Sequence, residues 1–409
     1  MKRRALVLGG VAPHISLIER LKARGYEVLL VDYLESPPAK PYANKVFRES
    51  TLDEEAVYRI AQQNDVEVVM GVCVDHANVV MCKVAERLSL PHPYSLRSAQ
   101  LATDKGLMKA QMLKHGIPTS AYHTVRTLDE VPWGELAYPL VVKPADNNGS
   151  KGVKRVEDDD GLRAGLCEAL ALSRSGSAII EGFNEGREIQ VDCFANEGVA
   201  HVLTIREKLK IPSANGMAMQ VYGSVMPPDI SEALAKEYAE IAQGIADAFG
   251  FEHTPFFFQT ITDGTQINVL ELSPRIGGGL SYKLIKAKTG VDVIDLAIDS
   301  YFGNRAAFEL EPASTVMAST IVYARDGRLA RVTGIDQMEA EGTCRGWDQM
   351  AAVGTEFGGH MDSRNRVGAY YSVAASHEQL RAMARRAEDV VDVLDEQGNS
   401  IKVRDLYYR

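Results

Sequence analysis

The 409-residue chain has no apolar run near the roughly 18 residues that a membrane-spanning helix requires. Its opening, MKRRALVLGGVAPH, places basic residues before an apolar stretch in the manner of a signal peptide. That stretch is short and stops at Pro13-His14, so it reads as a first strand. Cysteine is scarce. Cys73, Cys82, Cys167, Cys193 and Cys344 are odd in number, widely spaced and without a C-x-x-C pair. This pattern argues against a disulfide frame or a zinc site, and for reduced thiols in a cytoplasmic protein. There is no polybasic cluster for an anionic membrane. With 45 Lys+Arg against 55 Asp+Glu, the net charge of −10 is a poor balance for gripping nucleic acid. Neither G-x-x-x-x-G-K-[ST] nor G-x-G-x-x-G is present: the turn after the first strand is GGVAPH, with Pro13 and His14 where further glycines are required. No internal repeat or low-complexity tract occurs.

What is present is an ordinary globular composition, 45% hydrophobic and 24% charged. At about 150 residues per domain the length allows two to three domains. Apolar strands at 5–9, 26–32 and 66–72 alternate with helical patterns at 15–24, 53–63 and 75–88, which implies a parallel sheet covered on both faces. Asp32, ending the second strand, reads equally as a ribose or substrate contact and as a strand-end cap. Two prolines in LPHPYSLRSAQLATDK (90–105) mark a boundary, after which the pattern predicts a helix over about 103–115, with Thr103 or Asp104 as its cap. Strand-like stretches follow at 138–144, 177–182, 187–194, 198–205, 218–225, 255–261 and 266–272. Helices are expected over 158–172, 230–248 and 281–300, and the last segment, from about Ser314, is mixed.

Three stretches carry polar residues suited to chemistry. In VVKPADNNGSKGVKR (141–155) a strand delivers Lys143, followed by a loop with Gly149, Ser150 and Gly152. Four cations over 143–155 face one anion, a local +3, and glycine-rich turns offer backbone N–H groups to anions. A solvated hairpin is the alternative. In IIEGFNEGREIQVD (179–192) a strand ends at Glu181-Gly182-Phe183, where backbone groups could meet an adenine with Phe183 on its face. Glu188, seven residues on, could accept from ribose hydroxyls; a plain turn reads as well. In FFFQTITDGTQINVLELSPRIGGG (256–279) the Asp263-Gly264 turn joins two strands that carry Gln259 and Glu271. An amide oxygen with a carboxylate suits Mg²⁺. Arg275 could grip phosphate or carboxylate in bidentate fashion, and Gly277-Gly278-Gly279 lead into a helix start, an anion nest. A Glu271–Arg275 salt bridge is the structural alternative.

Taken in order, Lys105 in ATDKGLMKAQMLKHGIP, Lys143 with its glycine loop, Glu181-x-Phe183 with Glu188, and Gln259…Glu271-x-x-x-Arg275 resemble the ATP-grasp superfamily, closest to carbamoyl-phosphate synthetase halves and amino-acid ligases. The resemblance covers roughly residues 1–300. It implies an α/β and α+β chain: a Rossmann-like domain over 1–95, two nucleotide-binding lobes of ATP-grasp fold over 96–302 and a C-terminal α+β subdomain over 303–409. It implies ATP held by Lys105, Lys143, Gly149, Ser150, Glu181, Phe183 and Glu188. Gln259 and Glu271 would hold magnesium (two ions, with Mn²⁺ able to substitute), and Arg275 and Lys143 would act on the transferred phosphoryl group. The implied activity is a carboxylate–amine ligase working through an acyl phosphate, with an amino acid as one substrate, in the cytoplasm, and a homodimer at the level of the family. Arg206, Gly277 and Gly278 are candidates for the substrate carboxylate; Lys208 and Lys210 read equally as a solvated basic loop. Two alternatives stand beside this: a bicarbonate-using carboxylase or carbamoyl-phosphate-like synthetase, and a non-catalytic nucleotide-binding regulator. One position departs from the E-x-N-x-R pattern of the family: Ser273 stands where Asn is usual.

Overall fold

Uninterrupted apolar strands need cover on both faces, and the first ones have it. In the computed structural model, which describes residues 3–75, 77–147, 151–211, 220–305, 307–359 and 361–409, β1 (Arg3–Leu8), β2 (Tyr26–Val31), β3 (Lys45–Phe47) and β4 (Val68–Met70) form a parallel sheet ordered β3-β2-β1-β4. Ala5, Leu6, Val7 and Leu8 are fully buried beneath α1 (Ala12–Ala23), α2 (Glu54–Gln63) and α3 (Ala77–Leu88). The strand order reverses beside β1, which leaves a crevice between the carboxyl ends of β1 and β4. Asp32 proves to be a strand-end cap, accepting from Gly10 N at 2.7 Å and Leu34 N at 2.8 Å.

The helix expected over 103–115 is present with Asp104 as its cap, and a shorter helix that sequence reading missed precedes it. α4 (Leu96–Thr103) stops where Asp104 takes extended backbone, and Asp104 then caps α5 (Lys105–Lys114) by accepting from Leu107 N at 2.9 Å. A second, antiparallel sheet follows, ordered β5-β8-β6-β7, from β5 (Tyr122–Val125), β6 (Leu140–Pro144), β7 (Lys154–Val156) and β8 (Ala178–Gly182), with α6 (Asp159–Leu172) against it. Sequence reading missed β5, whose four residues include one that is buried.

The third sheet is the largest. Its strands β9 (Arg187–Asn196), β10 (Val199–Lys210), β11 (Val221–Met226), β12 (His253–Thr262), β13 (Ile267–Ser273), β14 (Val316–Tyr323), β17 (Arg345–Gln349) and β19 (Arg366–Ala374) run in the order β13-β12-β9-β10-β11-β14-β19-β17. α7 (Glu232–Phe249) covers the β9–β13 end on one side and is stopped by Gly250 at φ 67°. β10 continues to Lys210 because β9 and then β11 pair with its last residues. Arg206, Lys208 and Lys210 therefore sit on a strand and not in a solvated loop, which corrects that alternative. Residues 212–219 of the following segment lie outside the described ones. α8 (Ser281–Thr289) and α9 (Val293–Tyr301) come late in the chain yet share the core of the parallel sheet, and Arg20–Asp292 at 2.5 Å and Arg24–Asp299 at 2.6 Å tie α1 to α9.

The last segment extends the large sheet through β14, β19 and β17 and adds α10 (Ile335–Ala340), α11 (His377–Val390) and two short strand pairs, Gly327–Arg328 with Glu356–Phe357 and Arg331–Thr333 with Asp392–Leu394. Among the described residues no helix is long and apolar enough to cross a membrane. The seam between β11 and β14 is tight: a Cβ on Gly223 would stand 2.3 Å from the Ser319 carbonyl oxygen. Gly223→Ala should therefore cost about 1–3 kcal/mol, the usual penalty of overpacking, read as a lower urea midpoint; an unchanged midpoint would show that the strands part freely.

Candidate active site

Period-two alternation builds the site on the large sheet. On β9, Ile189, Val191 and Cys193 join the apolar core under α7, so Glu188, Gln190 and Asp192 face the other way. Pairing sets Gln190 opposite both Arg206 on β10 and Gln259 on β12, and Gln259 opposite Glu271 on β13. Lys208 and Lys210 follow Arg206 at two-residue spacing, so one polar face carries all of them.

Glu188 is clamped by two lysines, Lys208 Nζ at 3.2 Å and Lys210 Nζ at 2.5 Å. Burial works to raise the Glu188 pKa, but the two ammoniums outweigh it and hold the carboxylate below its usual range; burial pulls Lys208 down. The Gln259 amide nitrogen donates to Glu271 Oε1 at 3.1 Å while its oxygen accepts from Lys208 Nζ at 2.8 Å. Turned over, that amide would set its oxygen beside the carboxylate at the same 3.1 Å. This is close to the roughly 3.0 Å between adjacent ligands of an octahedral ion bound at about 2.1 Å. Among the described residues no group of three or more His, Cys, Asp or Glu could hold a metal. Two protein oxygens fit Mg²⁺, which keeps waters and borrows phosphate oxygens. Ser273 is buried two residues beyond Glu271, and both line a small pocket with Asp75, Thr103 and Phe257.

The second sheet faces this one with a cluster of lysines. Lys105 and Lys109, one turn apart on α5, project from one helix face, and Lys143 comes from β6. Lys143 Nζ donates to Glu181 Oε1, Lys109 Nζ lies 2.8 Å from Glu181 Oε2, and Lys105 Nζ donates to the Asn147 carbonyl. Two of these three buried lysines thus share one buried carboxylate, and the third is taken up by a backbone carbonyl. Burial pulls Lys105 and Lys109 below their ordinary values; for Glu181 it works upward, yet Lys143 and Lys109 prevail and keep the carboxyl low. Phe183 follows β8, with the Arg155 guanidinium 4.3 Å over its ring. Gly149 and Ser150 lie outside the described residues. Lys109 escaped sequence reading, although its i, i+4 spacing from Lys105 was a usable signal.

Arg275 does not pair with Glu271. Its Nε and Nη2 donate to the two Asp75 oxygens at 2.5 and 2.6 Å, and Nη1 donates to the Ile276 carbonyl at 2.7 Å. The fork spans from β13 to the loop after β4, and no sequence spacing announces a partner 200 residues away. Arg206 donates from Nε to Asp192 at 3.0 Å and from Nη2 to Ser281 Oγ. Gly277 packs against this group: a Cβ there would meet Gln190 Nε2 at 2.5 Å and Asp192 Oδ1 at 2.7 Å. Gly278 has open space around it. The structure therefore brings together Lys105, Lys143 and Glu181 in one cluster, Glu188, Gln259 and Glu271 in a second, and Arg206 with the 277–278 turn in a third.

A lysine-lined sheet over a carboxamide–carboxylate pair, behind a parallel-sheet entry unit, is an arrangement of ATP-grasp type. Residues 136–283 match the ATP-grasp domain, and residues 319–394 match the L-amino acid ligase C-terminal domain 2. The chain thus carries an ATP-grasp domain followed by an L-amino acid ligase C-terminal domain 2. A crystal structure of L-amino acid ligase from Bacillus licheniformis superposes with a TM-score of 0.82 at 21% identity, over 96% of this chain and 99% of that one. Among curated proteins, the L-arginine-specific L-amino acid ligase of Bacillus subtilis is 24% identical over 252 residues, 59% of this chain and 60% of that protein. A formate-dependent phosphoribosylglycinamide formyltransferase of Rhodococcus jostii is 24% identical over 290 residues, 66% and 68% of the two lengths. The chain thus spans about two thirds or less of these curated relatives. Together the matches bear out the ATP-grasp reading of this part of the chain.

His14, from the GGVAPH turn, is fully buried, and neither ring nitrogen has a hydrogen-bond partner among the described residues. Burial, helped by the Arg275 charge, lowers its pKa to about 3 from 6.5. The unfolded chain therefore binds a proton that the folded one refuses between those two values. Stability falls as pH drops through that window, by up to about 1.4 kcal/mol per pH unit. Urea unfolding at pH 6.5 and 4.5 should show a smaller acid loss in His14→Leu than in wild type; equal losses would contradict the assignment.

Proposed function

We propose that this enzyme phosphorylates a carboxylate with ATP and passes the acyl group to an amine, an amino acid supplying at least one of the two. The observation that carries the reading is the surplus of buried lysine over carboxylate in the Lys105, Lys109, Lys143 and Glu181 cluster, facing Gln259 and Glu271. Buried cations in excess call for an anion, and a polyphosphate spanning the two faces supplies it. Lys105 and Lys143 take phosphate oxygens, with Gly149 and Ser150 in the loop that follows Lys143. The strand end at Glu181 to Phe183 receives the adenine, and Glu188 the ribose. Gln259 and Glu271 hold Mg²⁺, two ions in this reading and replaceable by Mn²⁺; when bound, the metal neutralises charge on the transferred phosphoryl group.

The chemistry balances simply. A carboxylate oxygen attacks the γ-phosphorus and ADP leaves; the amine nitrogen attacks the acyl carbon of the resulting acyl phosphate and inorganic phosphate leaves. The amine proton passes to water or to the departing phosphate. The protein contributes alignment and preorganised positive charge, Lys143 and Arg275 above all. Arg206 and the Gly277-Gly278 turn anchor the carboxylate of the amino-acid substrate. The L-amino acid ligase C-terminal match favours an amine over bicarbonate as the second reactant. The cytoplasm and a homodimeric state belong to the same proposal.

An ADP-release screen over pools of amino acids, with mass spectrometry of the products, tests the reading. A condensed product with equimolar ADP is expected, whereas bicarbonate-dependent ADP release without an amine would favour a carboxylase. Lys143→Ala and Glu271→Ala should each reduce turnover by a hundredfold or more, on the order of 2.7 kcal/mol of barrier; full activity in both would refute the site. Arg206→Ala should raise the KM of the amino acid far more than that of ATP, and equal increases would remove Arg206 from the substrate site.

A further inference from the structure

The surplus lysine in the first cluster has a specific use. Glu181 is held from two sides, by Lys143 on Oε1 and by Lys109 on Oε2. The two cations are not equally free. The Lys109 side chain is wholly buried, whereas Lys143 is 8% exposed. Lys109 Nζ also donates to Thr119 Oγ1 at 2.7 Å, and Thr119 spends its own hydroxyl proton on the Val269 carbonyl at 2.8 Å, which turns its lone pairs toward the ammonium. The Tyr122 ring lies 5.3 Å from the same Nζ, within cation–π range. Lys109 is therefore anchored at its charged end by a hydroxyl and a ring besides Glu181.

We propose that Lys109 is the standing counter-ion of Glu181, and that it allows Lys143 to leave the carboxylate for a phosphate oxygen of ATP. The inference rests on the reading of Lys143 as a phosphate ligand. A buried carboxylate with a single cation cannot release it without being left bare, which is strongly unfavourable. With two cations, releasing Lys143 leaves a neutral Glu181–Lys109 pair, and the ammonium moves from one anion to another. Lys109 touches no reacting atom; it is a positioning residue acting through Glu181.

The test measures the Kd of a non-hydrolysable ATP analogue and thermal stability on the full chain. Lys109→Met should weaken binding by about tenfold or more, because Lys143 is now retained by Glu181. Adding Glu181→Gln to that variant should return the affinity to within about threefold of the Glu181→Gln single variant, since a neutral amide does not hold Lys143. A merely structural Lys109 would lower the melting temperature and leave the Kd unchanged below it, and that result overturns the proposal, as does a weakened Kd that Glu181→Gln does not relieve. Should Lys109→Met not fold, Thr119→Val keeps the charge and loosens its anchor; a drop in affinity supports the proposal and an unchanged Kd overturns it. Lys143→Ala separates the two readings. Unchanged affinity there defeats the phosphate-ligand assignment itself, whereas lost affinity with a normal Lys109→Met defeats this inference alone.

Discussion

Four neighbouring strands, β10, β9, β12 and β13, have to satisfy two incompatible environments at once. One face must be apolar to close on α7, through Ile189, Val191, Phe256, Phe258 and Leu272. The other must keep Glu188, Asp192, Arg206, Lys208, Gln259 and Glu271 close together while shutting out most of the water. Each charge on that face is tolerable because a neighbouring strand presents its complement within reach: Asp192 for Arg206, Glu188 for Lys208 and Lys210, and, directly in register, Gln259 for Glu271. A one-residue slip in any of these strands would drive charges into the core under α7 and apolar side chains into the cleft. The pairing register is thus at once the stability of the sheet and the geometry of the site.

The facing sheet solves the opposite problem. There two lysines, Lys109 and Lys143, share the single carboxylate of Glu181, while Lys105 donates to a backbone carbonyl and feels the charges of Glu271 and Asp75 as well. Such a group is held by the fold and not by its own pairing: α5 is fixed by its Asp104 cap, β6 and β8 by their ladder. Folding stability built elsewhere maintains a positive region that an anion completes. That is how binding energy for a polyphosphate can be stored in a protein whose net charge is −10.

The parts of this arrangement that lie along the chain were legible in the sequence. Strand alternation, the Asp104 cap, the Asp263-Gly264 hairpin and the polar residues of 141–155, 179–192 and 256–279 all rest on local rules. What stayed hidden depends on contacts distant in sequence. β10 reads as ending near 205, and Lys208 and Lys210 read equally as solvated cations until β9 and β11 pair around them. For Arg275 the structural alternative is a pair with Glu271, four residues away; Asp75, from the loop after β4, takes the guanidinium instead. Lys109 lay in plain view on α5, but its meaning comes from Glu181, 72 positions later and one sheet across.

The short stretch from Ser273 to Tyr301 is where these distant parts converge. Arg275 grips the loop after β4, and Ser281 receives Arg206 from β10. Tyr282 and Lys283 both donate to Asp348 on β17, and Asp292 and Asp299 hold α1. A turn of three glycines sits at the head of this stretch, and at Gly277 the approach of Gln190 and Asp192 leaves no room for a side chain. The turn's position is therefore decided by the parallel sheet and the large sheet together and by neither alone. The nucleotide side, by contrast, draws on α5, β6, β8 and the polar face of the large sheet, with the Lys105–Asn147 and Glu181 contacts made among themselves. A change in the parallel sheet or in β17 can thus shift the 277–279 turn while the lysine cluster, held by its own contacts, stays in place. On the proposed reading, that separation lets the acceptor side change without disturbing the phosphate-binding lysines.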